Sequence, residues 1–326
     1  MTEISLLQAV NQALCHSMEE DPQVLVLGED VAVNGGVFRA TDGLFERFGE
    51  NRVLDTPLAE TTIAGMAVGL AAQGLHPVAE IQFMGFIYSC IDQLVNHASR
   101  LRNRTRGRLS CPMVLRAPFG GGIGAPEHHS ESTEAMLAQV PGLRVVIPSS
   151  PARAYGLLLA AIRSADPVVF LEPKRIYRAV QEEVPDDGVA LPLDKCFVLR
   201  EGSDITIISW GAMVVESLAA ADELEKQGIS CEVIDVATLN SMDADTLLAS
   251  VEKTGRAVIA QEAPRHGGFA AQVAATLAEH GMFSLKAPIR RVAGYDTIMP
   301  LPRLEKLYMP GSKHVIAAAK ELMEFN

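Results

Sequence analysis

Apolar residues along the chain gather into short runs that end in acidic or small polar residues, and between those runs they recur every three or four positions. VLVLGED (24–30), VLDTPLAE (53–60), HPVAEIQF (76–83), CPMVLRAP (111–118), LRVVIPSS (143–150) and DPVVFLEP (166–173) are of the first kind. Such runs predict strands buried on both faces of a parallel sheet. TTIAGMAVGLAAQG (61–74) and IDQLVNHASRLRNRTRG (91–107) predict helices, as does the opening MTEISLLQAVNQAL, with Ser5 placed as its cap. Strand and helix alternate, so this half reads as a doubly wound α/β domain.

Between Lys174 and Gly202 the periodicity lapses and a Pro-Asp-Asp-Gly turn cluster appears, which predicts a linker. A second α/β series follows. Its strands are DITIISWG, CEVIDVAT, RAVIAQEAP and APIRRVAG, its helices MVVESLAAADELEKQG, ADTLLASVEKTG, GGFAAQVAATLAEHG and, last, a segment around HVIAAAKELMEF. Gly228, Gly255 and Gly281 each fall just past a helical pattern, where a left-handed residue is wanted. The expected division is a domain over 1–175, a linker over 176–202 and a second domain over 203–326. No short repeat or low-complexity tract interrupts it.

The net charge of −12 argues against a nucleic-acid or anionic-membrane surface, whose phosphates would be repelled. No apolar run reaches the roughly 20 residues needed to span a bilayer, and the first residues lack a basic leader and a cleavage site. The expectation is a cytoplasmic enzyme or subunit acting on a small molecule. Cys15, Cys90, Cys111, Cys196 and Cys231 are scattered, odd in number and without a C-x-x-C pair, which predicts reduced, buried packing residues.

Four places could carry chemistry. The glycine-rich APFGGGIGAPEHH (117–129) has neither the Lys-Ser/Thr of a phosphate-binding loop nor G-x-G-x-x-G spacing; its glycines are expected to let the loop pass close to a ligand or another chain. Glu127, His128 and His129 within it are adjacent, unlike the i, i+4 ligands of a helical metal site, and a histidine there is either a proton carrier or a solvated surface group. Arg100, Arg102, Arg104, Arg106 and Arg108 read as a solvated helix end. Glu60 stands where an extended segment becomes a helix, beside Leu58, Ala59, Ile63, Ala64 and Met66. The helix macrodipole favours a carboxylate there, whereas burial among such neighbours would raise its pKa.

Together the motifs GED (28–30), NGGVFRAT (34–41), DTPLAE (55–60), EIQFMGF (80–86), HHSES (128–132), PGLRVVIPSSP (141–151), PVVFLEPKRIYR (167–178) and GGFA (267–270) resemble the β subunit of the thiamine diphosphate-dependent 2-oxo acid dehydrogenases, nearly end to end and in order. The resemblance implies a transketolase-like pyrimidine-binding domain followed by a transketolase C-terminal domain. It implies that Glu60 hydrogen-bonds the 1′ nitrogen of the cofactor's aminopyrimidine, a role suited to a dry, low-dielectric site. Leu58, Gln82 and Phe86 correspond to cofactor contacts, Phe86 by stacking. Tyr88 is a rival ring, placed by strand alternation on the same face. His129 corresponds to the histidine that helps pass the acyl group to a lipoyl arm, while His128 stands where relatives carry apolar or aromatic residues. A potassium ion on carbonyls near Ala161, Ser164 and Asp166 is found in some relatives.

The chain lacks the G-D-G motif with which single-chain thiamine diphosphate enzymes hold magnesium and diphosphate. The resemblance therefore implies a separate α subunit carrying magnesium, an α2β2 heterotetramer, and a dihydrolipoyl acyltransferase core that receives the acyl group. A complete transketolase-like enzyme is opposed by the missing motif. A non-catalytic scaffold would need none of Glu60, Phe86 and His129, and a nicotinamide-dependent enzyme lacks its glycine fingerprint. FLEPKRIYR, SCEVID, QEAP and AGYDT resemble branched-chain members, whereas NGGVFRATDGL and P-E-x-H-S resemble bacterial pyruvate members, so both substrates stand at this point.

Overall fold

A computed structural model describes residues 3–325; residues 1, 2 and 326, at the outer ends of the expected domains, lie outside it. The chain forms two compact units. One comprises residues up to Phe119 with Met136–Leu193, the other Gly120–Ala135 with the residues from Asp194 on. In chain order the elements are β1 (Glu3–Ser5), α1 (Leu6–Glu20), β2 (Val24–Gly28), α2 (Leu44–Phe48), β3 (Val53–Asp55), α3 (Glu60–Ala72), β4 (His76–Glu80), α4 (Leu101–Arg104), β5 (Val114–Phe119), α5 (Glu134–Ala138), β6 (Arg144–Val146), α6 (Pro151–Ile162), β7 (Val168–Pro173) and β8 (Gln181–Glu183). Then come β9 (Phe197–Arg200), β10 (Ile205–Ser209), α7 (Ala212–Glu225), β11 (Cys231–Asp235), α8 (Ala244–Thr254), β12 (Ala257–Pro264), α9 (Ala270–Gly281), β13 (Arg290–Gly294), α10 (Pro302–Tyr308) and α11 (Ser312–Met323).

The first unit is built on a six-stranded sheet of order β3-β2-β4-β5-β7-β6, parallel at every pairing. All residues of β2, β5 and β7 are buried, which is why those strands read as unbroken apolar runs. The order reverses direction at β2, because β3 lies on one side of it and β4 on the other; ligands of open α/β sheets bind outside such a reversal. α1 opens with the reciprocal Ser5–Gln8 capping box and packs on α6, which starts with Pro151 behind Ser150. β8 pairs antiparallel with β1.

The second unit carries a five-stranded sheet of order β13-β12-β10-β11-β9, parallel except for β9 at its edge. Ile205, Ile207, Val233 and Val258 pack with Leu224, Val315 and Leu322 in its core. Asp243 caps α8, and Gly255 closes it at φ +74°. Gly228 takes the same left-handed conformation, but Gly281 does not: its φ is −115°, and a 3-10 turn, Met282–Ser284, prolongs α9.

The doubly wound α/β architecture is as expected in both units. The helix predicted over 91–107 is instead broken into a π-type turn (Gln93–His97), a 3-10 turn and the short α4. Side-chain bonds draw its backbone out of register there: Ser99 Oγ donates to the Val95 carbonyl at 2.9 Å, and Arg104 binds the Asn96 carbonyl. Four cysteines are buried and none is bonded to another, but Cys15 is only half-buried, beside Arg47. No helix among the described residues is long and apolar enough to cross a membrane.

Candidate active site

Three neighbouring strand ends define one edge of the first sheet. β2 runs into Glu29 and Asp30, β3 into Asp55 and then the start of α3 at Glu60, and β4 into Gln82. The Thr56 amide donates to the Gly28 carbonyl at 2.9 Å, and Asp55 Oδ1 accepts the Ala32 amide at 2.8 Å, fastening the turns after β2 and β3. Glu60 is the first residue of α3, so its carboxylate stands at the positive end of the helix.

The burial expected of Glu60 is not found in the chain by itself. Ile63, Ala64, Ala67 and Ala71 are buried below it, while Glu60 is half-buried at the first turn. Leu58 is 80% exposed, an aliphatic side chain without a core of its own. The buried carboxyl is Glu29, which enters the sequence reading only as part of GED. It is 7% exposed, and its Oε1 has no hydrogen-bond partner among the described residues. Burial first, and then the charges of Glu60 and Asp30, raise its pKa. A carboxylate directly after a buried parallel strand was the available signal.

Phe86 lies in a 3-10 turn, Met84–Cys90, that is tied to the start of α3. Thr61 Oγ1 donates to the Ser89 carbonyl at 2.8 Å and Cys90 Sγ to the Glu60 carbonyl at 3.2 Å. β4 ends at Glu80, so strand alternation does not relate Phe86 to Tyr88, which is exposed on that turn. Phe86 meets Phe83 edge to face at 6.0 Å, Phe83 meets Phe38 at 5.4 Å, and Phe38 leans on Tyr177 at 5.4 Å. Gln82 and Phe86 are half-buried.

That aromatic series ends on a buried ionic group. Arg116, on β5, is 1% exposed; its Nε and Nη2 donate to Glu172 at 2.6 and 3.0 Å and its Nη1 to Glu80 at 2.9 Å. Tyr177 donates its hydroxyl to Glu172 at 2.6 Å. Burial opposes the Arg116 charge, yet Glu172 and Glu80 hold its pKa above the ordinary range, and burial raises Glu80 despite the guanidinium. Adjacent parallel strands β4, β5 and β7 bring these three residues together, which no local sequence pattern indicates.

His129 belongs to the second unit. It ends a tight turn, Glu127–His129, in which the His129 amide donates to the Pro126 carbonyl at 3.0 Å and the Ser130 amide to the Glu127 carbonyl at 2.9 Å. His129 is half-buried, while Glu127 and His128 are exposed. The described residues contain no group of three His, Cys, Asp or Glu able to hold a metal. The glycines before the turn pass close to carboxylates of this same chain, Glu262 and Glu305. After the turn, Glu134 is fully buried; Trp210 Nε1 donates to its Oε1 at 3.1 Å, and its Oε2 has no partner among the described residues. Burial pushes Glu134 up to about 7.

The arginine series works locally. Arg102 binds Asp166 at 2.6 Å and the Ala165 carbonyl at 3.2 Å, and Arg108 donates to the Thr105 carbonyl at 3.1 Å. Of the carbonyls considered for potassium, that of Ala161 accepts the Ser164 amide at 3.2 Å and that of Asp166 accepts Ser164 Oγ at 3.0 Å. Their lone pairs are thus shared with Ser164.

Residues 2–180 match the family described as transketolase, pyrimidine binding domain, and residues 194–315 that described as transketolase, C-terminal domain. The chain is 53% identical over 325 residues to the pyruvate dehydrogenase E1 component subunit beta of Staphylococcus epidermidis and 50% identical to that of Bacillus subtilis, with 100% of both chains covered each time. A solved structure described as a split gene transketolase, inactive beta4 tetramer, superposes with a TM-score of 0.82 at 25% identity over 99% of both chains. Two matched domains and end-to-end identity carry one conclusion: the chain belongs to the family of pyruvate dehydrogenase E1 component β subunits, within the acyl-transferring 2-oxo acid dehydrogenases.

Proposed function

We propose that this chain supplies the pyrimidine half of a thiamine diphosphate site in an α2β2 enzyme that decarboxylates pyruvate and acylates lipoamide. The observation that carries the reading is the placement of Glu60 at the first turn of α3, at the reversal of the sheet, with the Glu29 carboxyl beside it. The fit to the cofactor is favourable on this chain's side: an orphaned buried carboxyl oxygen, an exposed Leu58 and the half-buried Phe86 ring share that edge. The absence of G-D-G leaves diphosphate and magnesium to an α subunit. When bound, thiamine diphosphate supplies an acidic thiazolium carbon and an electron sink for the decarboxylation.

Glu60 holds a proton against the pyrimidine's 1′ nitrogen, and Leu58, Gln82 and Phe86 orient and dry the ring. Covering Leu58 by the α subunit lowers the local dielectric and strengthens the Glu60 hydrogen bond. His129 exchanges a proton with the lipoyl sulfur as the acyl group is transferred. In the net reaction pyruvate loses carbon dioxide, its two electrons reduce the lipoyl disulfide, one sulfur takes the acetyl group and the other a proton. The names of the 50–53% identical relatives favour pyruvate over a branched-chain acid. Purified α and β chains, reconstituted with the acyltransferase, should turn over pyruvate at least ~10-fold faster than 3-methyl-2-oxobutanoate, the scale a pocket achieves for one or two methylenes. Preference for the branched acid would overturn this choice.

A further inference from the structure

The run Gly120-Gly121-Gly122-Ile123-Gly124 leads into the turn that carries His129. Its backbone alternates in hand: Gly120, Gly122 and Gly124 have φ of +80°, +89° and +72°, while Gly121 and Ile123 do not enter that region. Alternation of this kind turns successive amides to one side and makes a concavity for an anion. Here the anions are the protein's own side chains. Glu305, on α10, accepts the Gly122 amide on Oε1 at 2.8 Å and the Gly124 amide on Oε2 at 3.0 Å. Glu262, on β12, accepts the Gly121 amide at 2.5 Å and Ser132 Oγ at 3.2 Å on one oxygen. The Gly120 amide donates to the Glu131 carbonyl at 2.9 Å and closes the base of the loop.

Both limbs of the His129 loop are therefore gripped by carboxylates that are 5% and 7% exposed on rigid elements of the second unit. The glycines are needed for the grip: a Cβ on Gly120 would collide with Glu262 Oε1, and one on Gly121 would lie 2.6 Å from Met299 Cε. Charge-assisted bonds to backbone amides are roughly twice as strong as neutral ones, and a carboxylate that spans two amides fixes their relative placement. A cleft of about 400 Å3, lined by Ser132, Thr133, Glu262 and Tyr308 among others, opens beside the loop and gives small solutes a way in.

We infer that Glu262 and Glu305 are positioning residues that hold the His129 loop in its working shape, Glu305 as a built-in occupant of the glycine anion nest. The inference rests on the role proposed above for His129. It is tested on the assembled α/β enzyme carrying Glu305→Ala or Glu305→Gln, with His129→Ala as the reference. Hydrogen exchange over residues 120–131 judges the clamp, and lipoamide acylation compared with decarboxylation to an artificial electron acceptor judges its purpose. In Glu305→Ala, exchange at Gly122 and Gly124 should rise ~10-fold or more for the loss of two charge-assisted bonds. Acylation should fall ~10-fold while the artificial-acceptor rate changes less than about threefold, because a misplaced group loses rate without losing the cofactor. Formate should restore protection and acylation in Glu305→Ala, whereas formamide, which brings no charge, should not. Glu305→Gln keeps its shape and one acceptor oxygen, so it should release only one of the two amides, which keeps the test decisive where the alanine variant folds poorly. Unchanged exchange in either folded variant overturns the clamp. Raised exchange with unchanged acylation overturns its positioning role. Unchanged acylation in His129→Ala overturns the role of His129 and leaves the clamp to be judged by exchange alone.

Discussion

Replacing Glu134 by Gln should change how the stability of the second unit depends on pH. Glu134 is fully buried, bonded to Trp210 through one oxygen, and its pKa is raised by burial from 4.5 to about 7. In the folded chain it therefore keeps its proton to higher pH than in the unfolded chain. The sign follows: stability is lost as pH rises from about 4.5 through about 7 and is level above that. At about 1.4 kcal/mol per pKa unit, the loss is ~1 kcal/mol by pH 5 and ~3 kcal/mol by pH 8. Gln has the same shape, keeps an acceptor for the indole N–H and cannot ionise. Its stability relative to wild type should thus grow by ~2 kcal/mol between pH 5 and pH 8. Trp210 is the single tryptophan of the chain, so its fluorescence during urea unfolding reports on the unit that holds Glu134. Parallel pH profiles for the two proteins would refute the argument, because they would mean that Glu134 titrates alike in the folded and unfolded chain.

Three further outcomes follow from the geometry. Arg116→Met should lower the stability of the first unit by ~3–5 kcal/mol, measured by denaturant unfolding, since Glu80 and Glu172 would stay buried without their counter-charge; a loss below ~1 kcal/mol would show that solvent reaches the pair. Gly69 lies mid-helix in α3 with nothing within 4 Å of the place a Cβ would take, so Gly69→Ala should stabilise the chain alone by ~1 kcal/mol in thermal unfolding and weaken its assembly with an α subunit in sedimentation, if that open face packs closely against another helix. His129→Ala should slow lipoamide acylation ~100-fold, in the range of a lost acid/base group, and leave decarboxylation with an artificial acceptor within about fivefold; equal losses in both half-reactions would contradict the assigned step.

Much of this was legible in the chain because parallel strands buried on both faces must be apolar throughout. β2, β3, β4, β6, β7, β10, β11, β12 and β13 each lie within a predicted run, and β5 passes the end of its run by one residue, Phe119. β9 escaped, being an antiparallel edge strand whose residues are at most half-buried, and β1 and β8 escaped because EIS and QEE carry no apolar pattern. The motif around Glu60 was readable for a similar reason: a carboxylate at the start of an Ala- and Gly-rich helix stands out. Its dryness was not, since exposure at a first turn depends on what lies beyond the chain. Arg116, Glu262 and Glu305 act through partners far away in sequence, Arg116 and Glu172 across the β5–β7 pairing and Glu305 on amides of Gly122 and Gly124. Composition and spacing hold no trace of such pairings. The glycine run illustrates the point: its backbone makes an anion site, as glycine-rich loops do, and the anion is another part of the same chain.

The most direct test of the account is Glu60→Gln in the reconstituted α/β enzyme, scored by decarboxylation with an artificial electron acceptor beside the affinity for thiamine diphosphate. Gln preserves size and a hydrogen bond but neither accepts nor gives up a proton. Decarboxylation should fall ~100-fold or more while cofactor affinity stays within about threefold, the pattern of a lost acid/base group in an intact site. Undiminished decarboxylation in the folded, assembled variant would contradict it.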